Sequence, residues 1–351
     1  MAYINFKPQD YFNTLIYTGT GSSHAVTGVG FQPNGLSWFK GRQTGRDHYI
    51  CDAVRGSTKG IRSAKTDGEG TNTTNITSFD SDGFTIGTDS DGEVNEGGST
   101  ENKHVSWHWK AGTTSGLTGG TITPSAYSYN TTSKLSILKY TGTGSNATIA
   151  HMLGVKPTTI IIKRLNGLKA WAVWHTGLTS ANYHLTLNTT SVEVADSGYW
   201  QSTDPTSTVF SIGTNGHVNE SGDTYIAYVF SDVKGYSKMG SYIGNGNVDG
   251  TFAYTGFRAA WIMIKDTQDA EQGIIFDNKR ALGNVAVPAG LFPALNNGEG
   301  TSTTRDIQWY ANGFKPDGGG GEVNFIGKKY VYWAFAENPL IGSNGTAGVA
   351  R

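Results

Sequence analysis

With 351 residues and a formal net charge of −1, the chain lacks the basic excess or basic stripe of a nucleic-acid binder. No run of 18 apolar residues offers a membrane-spanning helix. The single cysteine, Cys51, excludes an intrachain disulfide framework and a multi-cysteine zinc site, and it reads as a small buried hydrophobe.

The opening MAYINFKPQDYFNT has no counterpart later in the chain. Pro8 and Asp10 interrupt the apolar segment that an export signal needs, so synthesis without a signal peptide is expected. Residues 1–13 read as an extended arm. Tyr3, Ile4, Phe6, Tyr11 and Phe12 are its candidate contacts with a larger particle.

Three related stretches follow. LIYTGTGSSHAVTGVGFQPNGLSWFK (15–40), LKYTGTGSNATIAHMLGVKPTTIIIK (138–163) and GSYIGNGNVDGTFAYTGFRAAWIMIK (240–265) share an aromatic, a Gly-x-Gly turn, a second glycine turn and an apolar strand ending in Lys40, Lys163 or Lys265. Each copy closes alike, with Phe84, Phe210 or Phe314, then Val94-Asn95, Val218-Asn219 or Val323-Asn324, then an aromatic-rich strand. Short alternating runs punctuated by Gly, Asn and Asp predict antiparallel strands almost throughout. The expected fold is all-β: three tandem β-sandwich modules, jelly-roll or lectin-like in shape, at 14–110, 134–233 and 234–351. Residues 111–133, rich in Gly, Ser and Thr, read as a linker.

In the closing strands, Val105, Trp107 and Trp109 alternate with His104, Ser106 and His108. The apolar set is expected to face inward and to anchor each module's core, as are Ile226, Tyr228 and Phe230, and Val331, Trp333 and Phe335. CDAVRG (51–56) and FDNKRA (276–281) occupy matching places, where the second copy has WAVWHTGL.

Candidate sites are few. Asp89, Asp91 and Glu93 crowd a glycine-rich segment that could hold Ca2+, but Gly92 falls at the wrong position for an EF-hand loop. The sister hairpins keep Val-Asn and lose most acids, so a turn capped by Asn95, Asn219 and Asn324 is the better reading. TGTGSNA (141–147) resembles a dinucleotide fingerprint only formally, since no helix follows. His104 and His108 share a strand face without ligating counterparts, which favours packing over metal binding. No Ser-His-Asp or Cys-His arrangement and no singled-out carboxylate pair emerges, so no catalytic residue and no enzyme activity are expected. Tyr199 and Trp200, in a polar loop, and Trp171 and Trp174, on opposite faces of one strand, are candidates for stacking on host glycans. Packing at inter-module contacts is the competing reading.

The strings AYINFKPQDYFNTLIYTGTG, CDAVRGSTKGIRS, SFDSDGFTIGTDSDGEVNEGG with VSWHWKAG, and YVYWAFAENPL resemble repeat-containing virion proteins of tailed bacteriophages of marine bacteria, including cyanophages and pelagiphages. The resemblance implies a structural protein on the particle, made in the host cytoplasm: a tail fibre or receptor-binding appendage, or a capsid knob or fibre. It also implies other virion proteins as partners, a homo-oligomer with a trimer favoured, and host-surface contact. It carries over no catalytic residue and no cofactor. A polysaccharide depolymerase is disfavoured, because no long repetitive β-helix or acid pair is present.

Overall fold

The computed structural model describes residues 4–42, 45–89, 91–98, 102–280 and 289–339. The protein is nearly all-β, built from several open antiparallel sheets. Its helical elements among the described residues are a 3-10 turn, Pro8–Asp10, and one short turn, Ser197–Trp200.

One strand order recurs in the three large sheets. In the first, the opening strand Phe12–Thr18 pairs with the closing strand Lys103–Trp109, whose other edge pairs with Leu36–Gly41 and then Tyr49–Asp52. The second repeats this with Leu135–Thr141, Thr224–Phe230, Thr159–Arg164 and Ala172–His175. The third uses Ser237–Ile243, Lys329–Pro339, Phe257–Asp266 and Ile274–Asp277. A smaller sheet faces each: His24–Thr27 with Gly83–Ile86 and Ile76–Asp80, Ala147–Ala150 with Val209–Ile212, and Ala253–Tyr254 with Gly313–Asp317 and Asp306–Tyr310.

Because side chains alternate across a strand, each large sheet has two faces to bury. One face packs on its small sheet. The first copy's core holds Tyr17, Val26, Phe39, Cys51, Phe84 and Ile86. Those of the second and third centre on Tyr140, Trp174, Phe210 and Tyr225, and on Tyr242, Ile262, Phe314 and Tyr330. The opposite faces of all three large sheets meet in a fourth cluster that draws on every copy.

That fourth cluster corrects the expected role of the closing strands. Val105, Trp107, Trp109, Ile226, Tyr228, Phe230, Val331, Trp333 and Phe335 all lie in the shared core. His108, Tyr225 and Tyr330, on the other face, serve the individual copies. At the centre Trp109, Phe230 and Phe335, the equivalent last rings of the three strands, form a triangle with centroids 5.4, 5.6 and 6.4 Å apart. Burying each such ring stabilises the fold by about 2–3 kcal/mol, here between copies and not within one.

Two connecting segments also differ from expectation. Within 111–133, Ala126–Asn130 forms an edge strand on Leu135–Thr141, and Ile122 is buried against the second copy's core. Tyr127 and Tyr129, on that strand, pack where a flexible linker would be solvated. In the arm, Phe12 is buried between Trp109 and Phe335, at 5.0 and 5.3 Å. Phe6 and Tyr11 stack edge-on with each other and with Tyr236 of the third copy. Ile4 is buried in the same cluster, and Gln9 donates to the Glu337 carbonyl at 2.5 Å. The arm's apolar side chains are therefore used inside the chain, where the apolar back of the third sheet covers them. Tyr3 lies outside the described residues.

Candidate functional site

Each copy hands one closing-strand ring to a neighbour. Tyr228 of the second copy donates its hydroxyl to Asp52 of the first at 2.7 Å. Trp107 of the first donates Nε1–H to Asp277 of the third at 3.1 Å. Trp333 of the third donates to Thr159 Oγ1 of the second at 3.0 Å and packs edge-on against His175 at 4.6 Å. The transfers close a ring: second to first, first to third, third to second.

The receiving carboxylates are organised alike. Arg55 Nε donates to Asp52 at 2.5 Å, and Arg280 Nε to Asp277 at 2.6 Å. Asp52 also caps the amides of Val54 and Arg55, and Asp277 those of Lys279 and Arg280. This explains why CDAVRG and FDNKRA match. Asp52–Arg55 and Asp277–Arg280 are each a tight turn in which an Asp holds its own backbone, an Arg three residues on and a visiting ring. In the second copy His175 stands at the Asp position and hydrogen-bonds the Tyr332 carbonyl at 3.1 Å. Burial holds its ring near pKa 3, hence neutral.

The Val-Asn hairpins are equally regular. Tyr17, Tyr140 and Tyr242 donate to the carbonyls of Val94, Val218 and Val323. The side chains of Asn95, Asn219 and Asn324 accept from the amides of Thr20, Thr143 and Asn245 in the facing Gly-x-Gly turn. Their Nδ2 groups donate to the carbonyls of Gly87, Gly213 and Gly318. These are the turn caps expected from sequence.

The acidic segment of the first copy sits beside a polar cleft of about 390 Å³, lined by Arg46, Asp47, Arg62, Lys65, Asp67, Asp91 and Glu93, with Asn296 from the third copy. Arg62 pairs with Glu93 and lies 3.7 Å from Asp91 and 3.9 Å from Asp47, while Lys65 lies 3.6 Å from Asp47. Burial raises the carboxyls of Glu93 and Asp89 above their usual range. Asp89 Oδ2 accepts from the amides of Val94 and Asn95 at 2.6 and 2.7 Å, so it braces the hairpin. Of the three carboxylates proposed for Ca2+, Asp89 is held by backbone amides, while Glu93 and, more distantly, Asp91 share Arg62. Among the described residues no group of three His, Cys, Asp or Glu is placed to hold a metal ion. The cleft sets four carboxylates, Asp47, Asp67, Asp91 and Glu93, against three cationic side chains, Arg46, Arg62 and Lys65.

The four aromatics proposed to meet glycans are buried. Trp171 and Trp174 do lie on opposite faces of one strand, but both faces are covered: Trp171 by the shared core, Trp174 by its own copy's core. Trp171 Nε1–H donates across copies to the Arg62 carbonyl at 3.1 Å. Asp196 caps the turn Ser197–Trp200 through the Gly198 amide, and that turn points both rings inward. Tyr199 stacks on His184 at 3.7 Å and on His217 at 5.4 Å, and burial raises its hydroxyl to about 12. His104 stacks on Tyr17, and His108 packs between Phe39 and Phe84. Cys51 is buried, and burial raises its thiol well above the usual range, away from the reactive thiolate.

A family model described as a domain of unknown function, DUF7483, matches residues 7–339. The chain belongs to that family. The DUF7483 match runs from the arm to the last closing strand, so it takes in all three large sheets and the core they share. No curated protein and no solved structure matches the chain significantly.

Proposed function

We propose that this chain is a non-enzymatic structural protein displayed on the surface of a bacteriophage particle. The reading rests on the resemblance of its sequence strings to phage virion proteins. The observation that carries it furthest is the ring of reciprocal contacts. Three sandwich-like copies are joined by Tyr228–Asp52, Trp107–Asp277 and Trp333–Thr159 around one aromatic triangle. Such a body is stiff, and it presents hairpin ends and outer sheets while its aromatics and paired charges hold the copies together. That division suits an architectural appendage. A glycan-binding adhesin draws less support, because Trp171, Trp174, Tyr199 and Trp200 are engaged in packing. The test is immunogold labelling of intact particles with antibody to this chain. Gold at a defined place on tail or capsid is expected. Labelling confined to infected-cell debris, with the chain missing from purified particles by mass spectrometry, would overturn the proposal.

A further inference from the structure

The three Val-Asn hairpins are built on one plan but end differently. After the Asn, the first copy has Glu96-Gly97-Gly98, the second Glu220-Ser221-Gly222 and the third Phe325-Ile326-Gly327. Backbone contacts fix the equivalence. A Cβ at Gly19, Gly142 or Gly244 would meet the carbonyl oxygen of Glu96, Glu220 or Phe325 at 2.4, 2.2 or 2.3 Å. One at Gly21, Gly144 or Gly246 would meet Gly97, Ser221 or Ile326 at 3.0–3.2 Å. Thr18 and Thr141 likewise correspond to Ile243, and Asn146 to Val248. Two copies therefore make this turn with polar or small residues, and the fold has no need of apolar ones.

In the third copy Ile243, Val248, Phe325 and Ile326 are 51, 73, 47 and 67% exposed, with Phe252 exposed just before, and Tyr254 on, the strand Ala253–Tyr254 that follows the loop. Of the ten large exposed apolar side chains among the described residues, these are six. The four at the tip expose on the order of 400 Å², within the range of the largest patch on a monomer and about half the ~800 Å² per partner of a standard interface. The charges around the tip are paired within the chain, Asp249 with Lys315, Lys328 with Asp269, and Lys329, the strand partner of Ile243, with Glu193, so two tips can approach without a lone charge between them.

We propose that this tip is a self-association surface, paired two-fold with the same tip of a second copy of the chain. Such a contact is isologous, so one patch serves both partners. A pair is proposed in place of the trimer expected from resemblance, since the three-membered ring is completed within a single chain. The inference does not rest on the particle reading and stands or falls separately.

Sedimentation equilibrium of the full chain tests it. The wild type is expected to fit a monomer–dimer equilibrium in the micromolar range. The double variant F325E/I326G restores the residues with which the first copy folds. It should keep its circular dichroism and melting temperature while its self-association weakens at least tenfold. Val248→Asp, in the facing loop, should weaken association independently. A monomeric wild type, unchanged association in both variants, or a trimer as the associated species would each overturn the proposal.

Discussion

The side-chain amide of Asn219 accepts from the Thr143 amide at 2.7 Å and donates to the carbonyls of Ser145 and Gly213 at 2.6 and 2.8 Å. It is fully buried, so its loss would strand up to three backbone groups away from water. Asn219→Ala should therefore cost about 2–4 kcal/mol by urea denaturation, and a loss under about 0.5 kcal/mol would mean that the cap is dispensable. Histidine gives a second residue-scale prediction. Burial holds His108 and His175 near pKa 3 and His104 and His151 near 4, so all four stay neutral in the fold. In the unfolded chain they take up protons near pH 6.5. Their contribution is thus fully present above that pH and is lost as pH falls toward 4. Asp306, whose carboxyl burial raises to about 7, works in the opposite sense, as do Asp89, Glu93, Asp266 and Glu271, which burial also raises, and together they offset part of this loss. The melting temperature should drop by roughly 10 °C between pH 7 and pH 5. A flat profile over that range would show that these rings are not held neutral.

The closing strand is the element on which the architecture turns, because it is buried on both faces. Tyr228→Phe removes only the hydroxyl given to Asp52, which keeps Arg55, and should cost about 1 kcal/mol. Asp52→Ala leaves the Arg55 guanidinium buried with carbonyls and the more distant Glu69, and should cost about 3–5 kcal/mol. Equal losses in chemical denaturation would argue that the carboxylate, and not the ring it receives, contributes nothing special. Much of this strand is legible in sequence. Its alternation, the Tyr-to-Asn pairing of hairpin and turn, and the match of CDAVRG with FDNKRA all come from residue identity. Which face met which core is not legible. Val105, Trp107 and Trp109 form an apolar stripe whether the stripe meets its own small sheet or two other copies. The opposite stripe hid its burial behind His104, Ser106 and His108. Tyr199 and Trp200 misled for a related reason: Asp196 and glycine look like a loop until the Asp caps a turn that faces inward.

At the scale of the molecule, three copies share one core, and none is complete alone. An isolated 134–233 segment would expose Ile137, Ile161, Trp171, Val173, Ile226, Tyr228 and Phe230, all of which the shared core now covers. Such a fragment should aggregate or fail to fold, and a soluble, cooperatively melting fragment would contradict this. The same cluster couples the copies energetically, through the Trp109–Phe230–Phe335 triangle, the buried arm at Phe12 and the three exchanged rings. Differential scanning calorimetry of the full chain tests that coupling most directly. Copies closed around one core should unfold in a single transition whose van't Hoff and calorimetric enthalpies agree. Separate transitions, or a van't Hoff enthalpy near a third of the calorimetric value, would mean that the copies are independent beads and that the shared core does not bind them.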